Sequence, residues 1–328
     1  MNKKIKWGFI GTGGIAKKFA TALTAVDNTE LYAVGSRNKE TAKIFAEEFN
    51  ASKFYGSYGE LVSDPNVDVV YVATPHNLHC ENTLMALENN KHVLCEKPFG
   101  INGREVRQMI QKAKEKNLFL MEALWSRFLP NIIKTKEIID SGELGKIKLL
   151  TAVFAIKSIH GPEGRHFNKD LGGGSLLDIG IYNVFLSLLL LGKPKIINAV
   201  AGFSTTEVDN TCSITFKYEN EVLSIMYSSF LINPPVTAEV HCEKGKIHLP
   251  HLWFCPGNIT VNYNGKEITH TFDFKSNGFN YEAEEAVKCI LNGKKESELM
   301  SLNDSITLID TLDNIRQKCG LIYPKHDL

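Results

Sequence analysis

The chain has 328 residues, beyond the size at which a single hydrophobic core usually stops growing, so its length predicts two domains. Lys and Arg together number 37, as do Asp and Glu, and this balance leaves no field that would favour a nucleic acid or an anionic membrane. Seven cysteines with no Cys-x-x-Cys pair argue against a disulfide framework. The opening Met1-Asn2-Lys3-Lys4 lacks the apolar core of a signal peptide, and the most apolar run, Val184 to Leu191, is too short to span a bilayer. A reducing cytoplasm is the expected location.

Lys6 to Ile10 predicts a buried strand, and it ends in the turn Gly11-Thr12-Gly13-Gly14-Ile15-Ala16. A helical pattern follows at once through Phe19, Leu23 and Val26. That order fits a dinucleotide site. Gly11 permits a sharp turn, Gly13 lets the main chain approach a pyrophosphate, and Ala16 is small enough for close helix–strand packing. The phosphates would sit on the unpaired N–H groups of the helix start.

A second strand, Glu30 to Gly35, ends at Ser36-Arg37. Many NAD sites carry a carboxylate at this strand end to accept from the ribose 2′-OH. Here that carboxylate is missing, since Glu30 lies at the other end of the strand. Ser36 and Arg37 are suitable donors to a 2′-phosphate, so NADP(H) is favoured and NAD(H) is the alternative.

Thr41 to Phe49 predicts a helix, Tyr58 to Val62 a short one, and Val67 to Ala73 a fully buried strand. This strand ends in Thr74-Pro75-His76-Asn77-Leu78-His79, where a helix to about Asn89 begins. His92 to Cys95 is the next strand, closed by Glu96-Lys97-Pro98, and a helix over Asn102 to Lys116 leads to Leu118–Glu122. Strands and helices alternating at short spacing predict right-handed crossovers, a parallel sheet and helices on both its faces. Ligands bind off the carboxyl ends of such strands. Those ends converge here on Gly11–Gly13, Ser36–Arg37, Thr74–His79 and Glu96–Pro98.

Past Glu122 the pattern changes. A helix near Asn131 to Ser141 precedes a strand from Lys146 to Ile156, a Gly172-Gly173-Gly174 loop, and a helix from Ser175 to about Leu191. A run of strands follows, near 196–204, 210–217, 222–230, 237–242 and 246–249, with a hairpin about Asn264-Gly265. Helices over 281–291 and 302–318 close the chain. The fold class expected is α/β with a Rossmann domain over 1–123, joined to an α+β domain over 124–328 with a large, mostly antiparallel open sheet.

The chemistry-bearing residues cluster at the strand ends and in the second domain. Lys97, held between Glu96 and Pro98, is placed to face a cofactor. Asp178 and Tyr182 stand four apart in an otherwise apolar helix, so they share a face. Burying an unpaired carboxylate there would cost several kcal/mol, so a cation such as Lys97 is wanted nearby. His76 and His79 lack a third ligand at characteristic spacing, and substrate or cofactor contact is the plainer role than metal. Cys80 and Cys95 read as small core residues. Trp125, Arg127, Phe128, His166, Trp253, Phe254 and Phe279 could form a pocket wall.

Four motifs stand in a specific order: Gly11-x-Gly13-x-x-Ala16, Thr74-Pro75-His76-x-x-His79, Glu96-Lys97-Pro98, and Gly172-Gly173-Gly174-x-Leu176-Leu177-Asp178-x-Gly180-x-Tyr182. In this order the chain resembles the Gfo/Idh/MocA oxidoreductase family. The stretch Met121 to Pro130 is similar to the branch that holds the dimeric dihydrodiol dehydrogenases and the NADP-linked D-xylose dehydrogenases. The resemblance implies a cis Lys97–Pro98 peptide, catalysis by Lys97, Asp178 and Tyr182, and a homodimer formed through the C-terminal sheet. Many relatives carry histidine where Tyr182 stands, so the acid/base role follows the tyrosine-bearing branch.

These expectations combine as hydride transfer between nicotinamide and a secondary alcohol or its carbonyl, on a sugar, polyol or trans-dihydrodiol. Cofactor contacts are expected from Gly11 to Ile15, Ser36, Arg37, Thr74, Pro75, His76, His79, Glu96, Lys97, Trp125 and Arg127. Substrate contacts are expected from His79, Trp125, Phe154, Asp178, Tyr182 and Phe279. A tyrosine base working near neutrality needs its phenolate favoured by about 3–4 kcal/mol, which one ammonium in a partly buried site supplies. An NAD-linked sugar or inositol dehydrogenase and a non-catalytic nucleotide sensor are the alternatives.

Overall fold

The computed structural model describes residues 4–328. Residues 1–3, on which part of the reading of the N-terminus rests, lie outside the described residues. The chain divides into two compact units. The first runs to Trp125 and resumes over Phe274–Ile306; the second comprises Ser126–Asp273 and Thr307–Leu328. The first crossing lies close to the boundary expected at 123. The segment 274–306, expected in the second domain, belongs to the first unit.

In the first unit the order is β1 (Ile5–Ile10), α1 (Gly14–Leu23), β2 (Thr29–Gly35), α2 (Lys39–Glu48), β3 (Lys53–Tyr55), α3 (Tyr58–Ser63), β4 (Val69–Val72), α4 (His79–Glu88), β5 (His92–Glu96), α5 (Gly103–Lys116) and β6 (Leu120–Ala123). The strands lie in the order β3-β2-β1-β4-β5-β6, all parallel. The order reverses between β1 and β4, and all carboxyl ends therefore share one edge. Trp7, Phe9, Ile10 and the whole of β4 are buried, as strands covered on both faces require. Phe19 of α1 stacks on Tyr71 of β4 with ring centroids 3.9 Å apart, fixing the first helix to the sheet. Asn38, Ser57 and Asn102 cap α2, α3 and α5 with their side-chain oxygens, which sets where those helices begin. The returning segment pairs with this unit through Lys295 O, which accepts from Leu120 N at 3.0 Å, and through Asn277 Nδ2, which donates to Lys18 O at 2.8 Å.

The second unit is built on eight strands, β7 (Ile147–Ala155), β8 (Ile196–Phe203), β9 (Asp209–Lys217), β10 (Leu223–Ser229), β11 (Ala238–Cys242), β12 (Gly245–Leu249), β13 (Ile259–Tyr263) and β14 (Lys266–His270), with helices α6 (Pro130–Asp140) and α7 (Ile181–Leu191). The sheet order is β14-β13-β12-β11-β7-β10-β9-β8, antiparallel except where β7 and β10 run parallel. Asn264 and Gly265 both have positive φ, as the tight β13–β14 turn requires. One face of the sheet buries Leu150, Ile214, Phe216, Met226 and Val240. The stretch Lys169–Leu191 is long and apolar enough to cross a membrane by length and composition, longer than the apolar run suggested; 78% of its most apolar window is buried inside the protein.

The helix expected to begin at Ser175 is interrupted. Leu176–Gly180 is a five-residue π-helical turn, and the regular helix α7 begins only at Ile181. Such turns recur at functional sites.

Candidate active site

At the β1–α1 turn, Gly11 has φ +105° and lies so close to the β4 end that an added Cβ would stand 2.6 Å from Ala73 O. Gly13 and Gly14 have nothing within 4 Å of an added Cβ. No side chain caps α1, and no acidic residue stands in its first turn. Closed on the sheet side and open above an uncapped, positively polarised helix start, the turn fits a pyrophosphate. Thr12 and Ile15 are half-buried beside it.

At the end of β2, Ser36 Oγ accepts from Asn38 N at 3.3 Å and Arg37 is exposed. Burial pushes the Tyr58 phenol upward, and the nearby Arg37 guanidinium pulls against that rise. Tyr58 was not among the expected residues; it reaches Arg37 from α3.

The β4 and β5 ends are tied together by His79. Its Nδ1 lies 2.7 Å from Pro98 O and its Nε2 3.0 Å from Thr74 O, and the residue is wholly buried. Burial pushes its pKa down while the two carbonyls pull it up; the neutral ring donates to one of them, and only the protonated ring could donate to both. This differs from the expected cofactor and substrate contact, because both ring nitrogens already face backbone carbonyls. His76 is buried beside it, ring centroids 5.7 Å apart, and Thr74 Oγ1 accepts from Asn82 Nδ2 at 3.2 Å. Pro75 is half-buried at the start of the short helix His76–Leu78.

The Lys97–Pro98 peptide is cis. Glu96, ahead of it, accepts from Tyr71 Oη at 2.5 Å and from Lys97 N at 3.2 Å. Phe99 N, behind it, donates to Glu122 Oε1 at 3.1 Å. Burial pushes the Glu122 carboxyl up to about 7. Glu282, from helix Asn280–Leu291, is wholly buried, and burial together with the Glu96 charge pushes its carboxyl well above the usual range. The backbone on both sides of Lys97 is therefore held by buried acidic groups. Glu122 was read only as a strand end, and Glu282 escaped the sequence reading because it returns to Glu96 from a helix far along the chain. Trp125 stacks on Phe279 in the same unit, centroids 4.2 Å apart and planes at 8°.

In the second unit the π turn carries Asp178, and Tyr182 follows in the first turn of α7; both are buried. Arg165 Nη2 donates to Asp178 Oδ2 at 3.2 Å, and His166 Nε2 lies 3.6 Å from the same oxygen. The cation that the buried carboxylate requires is thus supplied in part from within the unit, by a residue the sequence reading had not singled out. His166 Nδ1 bonds Ser158 Oγ at 2.8 Å, and its ring stacks on Phe230 at 4.4 Å. Tyr182 lies against Phe154 and Phe254, at 5.4 and 5.1 Å between centroids, and those two rings stack at 3.9 Å. Arg127 is half-buried at the beginning of this unit. The expected residues thus form two sets. One is the nucleotide turn, Ser36–Arg37, the Thr74–His79 and Glu96–Pro98 loops and the Trp125–Phe279 stack; the other is Asp178, Tyr182 and Phe154.

Comparison with known proteins was made against this geometry. The family model described as the GFO/IDH/MocA oxidoreductase family, NAD-binding Rossmann fold, matches residues 5–124, and that of the GFO/IDH/MocA C-terminal domain matches residues 132–248. The chain is 39% identical over 332 residues to a trans-1,2-dihydrobenzene-1,2-diol dehydrogenase of Xenopus laevis, covering 97% of this chain and 99% of that one. It is 35% identical to the human protein of the same name, covering 98% of each. Among solved structures it is similar to a 3-ketoreductase from Actinomadura kijaniata in complex with NADP, with TM-score 0.88, 25% identity and coverage of 97% and 98%. A levoglucosan dehydrogenase in complex with NADH shares the fold with TM-score 0.87 at 22% identity, covering 97% of both chains.

Proposed function

The chain belongs to the GFO/IDH/MocA oxidoreductase family and is a dehydrogenase or reductase acting on CH–OH groups; from that premise we propose that it uses NADP(H) and takes a secondary alcohol or carbonyl of a sugar, polyol or trans-dihydrodiol. One observation carries the reading: an open, uncapped glycine turn occurs in a chain that also has a lysine at the end of β5 and a carboxylate and a phenol on one π turn and helix. A nucleotide sensor needs only the first of these. The choice of NADP(H) is supported by Ser36 and the exposed Arg37, which offer donors where an NAD site would hold a carboxylate. The relatives' names, dihydrodiol dehydrogenase above all, support the substrate class.

The nicotinamide, when bound, supplies or accepts the hydride. The chain's own residues manage the proton. In oxidation the Tyr182 hydroxyl oxygen, as phenolate, takes the proton of the substrate hydroxyl; in reduction it returns one. The Lys97 ammonium stabilises a developing alkoxide on the substrate. Asp178, held by Arg165, orients the polar end of the substrate. Phe154 and Phe254 give Tyr182 an apolar surround within its own unit.

We also propose that two copies pair through the outer face of the eight-stranded sheet, where Ile196, Val200 and Ile225 stand on one side opposite the buried Ile214 and Met226; Val200 is 74% exposed. Light scattering at assay concentration reads this directly: a monomer mass contradicts it.

A panel of polyols, aldoses and trans-dihydrodiols offered with NADP+ and with NAD+, followed at the reduced-nicotinamide absorbance, tests the function. Turnover with NADP+ on at least one of these classes is expected. A panel inactive with both nucleotides contradicts the reading, and a preference for NAD+ contradicts the cofactor assignment.

A further inference from the structure

Asp209, the first residue of β9, is wholly buried and lies outside the groups assigned above. Its Oδ2 accepts from Ser175 Oγ at 2.7 Å and from Leu176 N at 2.7 Å. Ser175 is the residue ahead of the π turn, yet its hydroxyl makes no cap bond to the helix. The cap is supplied across the fold by Asp209 instead, which satisfies an N–H at a helix start that would otherwise be orphaned. The surroundings are built to this fit. Gly174 has φ +123°, and a Cβ there would stand 2.3 Å from Asp209 Oδ1. Ser175 Oγ also bonds Ser228 Oγ at 2.9 Å, and a Cβ on Gly180 would stand 2.9 Å from that same Ser228 oxygen. Tyr323 Oη donates to Gly173 O at 2.6 Å, closing the loop from the other side.

The entry of the five-residue π turn is thus fixed by Asp209 and Ser228 from neighbouring strands, and Ser228 packs closely against Gly180 at its exit. Asp178 lies inside that turn and Tyr182 two residues beyond it. We propose that Asp209 is a positioning residue for the reaction, setting the π turn so that Asp178 and Tyr182 present their polar atoms to the substrate. The inference rests on the reading above that these two residues serve the chemistry.

Burial pushes the Asp209 carboxyl up to about 7, against the opposing pull of its hydrogen bonds from Ser175 and Leu176. The charge on the cap therefore changes within the range of ordinary assays. The titratable groups facing it are Cys212 on its own strand, and Cys319 and Tyr323 from the C-terminal segment. Around Tyr323 stand Arg316, 5.1 Å from the ring centroid, and Asp327, which accepts from Tyr323 N at 2.7 Å.

The test uses D209A, D209N and S175A in the full chain, with two readouts. Amide hydrogen exchange over residues 174–186 is measured without substrate, and the pH dependence of kcat is measured with whatever substrate the panel above identifies. In D209A the exchange of this segment is expected to rise by roughly tenfold or more, while nucleotide affinity stays within about twofold. D209N, which keeps an acceptor oxygen, is expected to restore protection and to change the pH profile of kcat from that of the wild type. If D209A fails to fold, S175A carries the exchange measurement and is expected to shift it in the same direction by a smaller amount. Wild-type exchange over 174–186 in the folded variant with the cap weakened overturns the inference, as does a pH profile of kcat in D209N identical to that of the wild type. An enzyme inactive on the whole panel would sink the proposed function and leave the exchange result to decide this one.

Discussion

Arg165 Nη2 stands 3.2 Å from Oδ2 of Asp178, and His166 Nε2 approaches the same oxygen to 3.6 Å, so the buried carboxylate of the π turn has cation support within its own unit. Arg165 is largely exposed while Asp178 is buried, which limits what the pair contributes. Arg165→Met is expected to lower kcat by roughly three- to fivefold, the size an exposed ion pair allows, with nucleotide KM unchanged. Arg165→Lys should recover part of the loss. Equal kcat in wild type and Arg165→Met would mean that the pair does not orient Asp178.

Arg37 tests the choice of nucleotide. Its exposed guanidinium at the β2 end is the group expected to meet a 2′-phosphate. Arg37→Ala should weaken NADPH by roughly tenfold or more and NADH by less than about twofold, read by fluorescence titration. Equal losses for both nucleotides would refute the 2′-phosphate assignment. Tyr58→Phe removes the hydroxyl that faces Arg37 and should reproduce a small part of the NADPH loss.

Glu122 ties stability to pH. Burial raises its folded carboxyl to about 7, above its ordinary value of 4.5, so the folded chain holds a proton that the unfolded chain has released. Stability from this group is therefore full below pH 4.5 and falls as pH rises toward 7, by on the order of 3 kcal/mol. His79 acts with the opposite sign, because its depressed folded pKa costs stability as pH drops below its ordinary value of 6.5. Glu122→Gln retains an acceptor for Phe99 N and should flatten the decline of melting temperature between pH 5 and pH 8. An unchanged slope in that variant would show Glu122 ionised in the folded chain.

Where the chemistry of a turn is local, the sequence discloses it: the Gly11–Ala16 turn and the buried run of β4 follow from adjacent residues. The three-residue strand β3 is too short, and too exposed, for alternation to mark it. The π turn Leu176–Gly180 lies in a continuous apolar run, where a change from i+4 to i+5 spacing leaves no trace in composition. Asp209 fell one residue outside the strand expected to start at 210, and its partners are more than 30 residues away. The antiparallel character of the second sheet was legible from its hairpins. The parallel β7–β10 pair was not, since it joins strands separated by α7 and two others. Glu282 and the whole 274–306 segment illustrate the same limit: long-range packing decided their unit.

The central claim is that Lys97 serves proton management at a nicotinamide-linked alcohol. The measurement that addresses it most directly is the rate of NADP+ reduction by the best substrate of the panel, in wild type and in Lys97→Met, with NADPH affinity titrated in parallel. The account predicts a fall of roughly a hundredfold or more in turnover, with NADPH affinity held within about threefold. Near-normal turnover in Lys97→Met would contradict it.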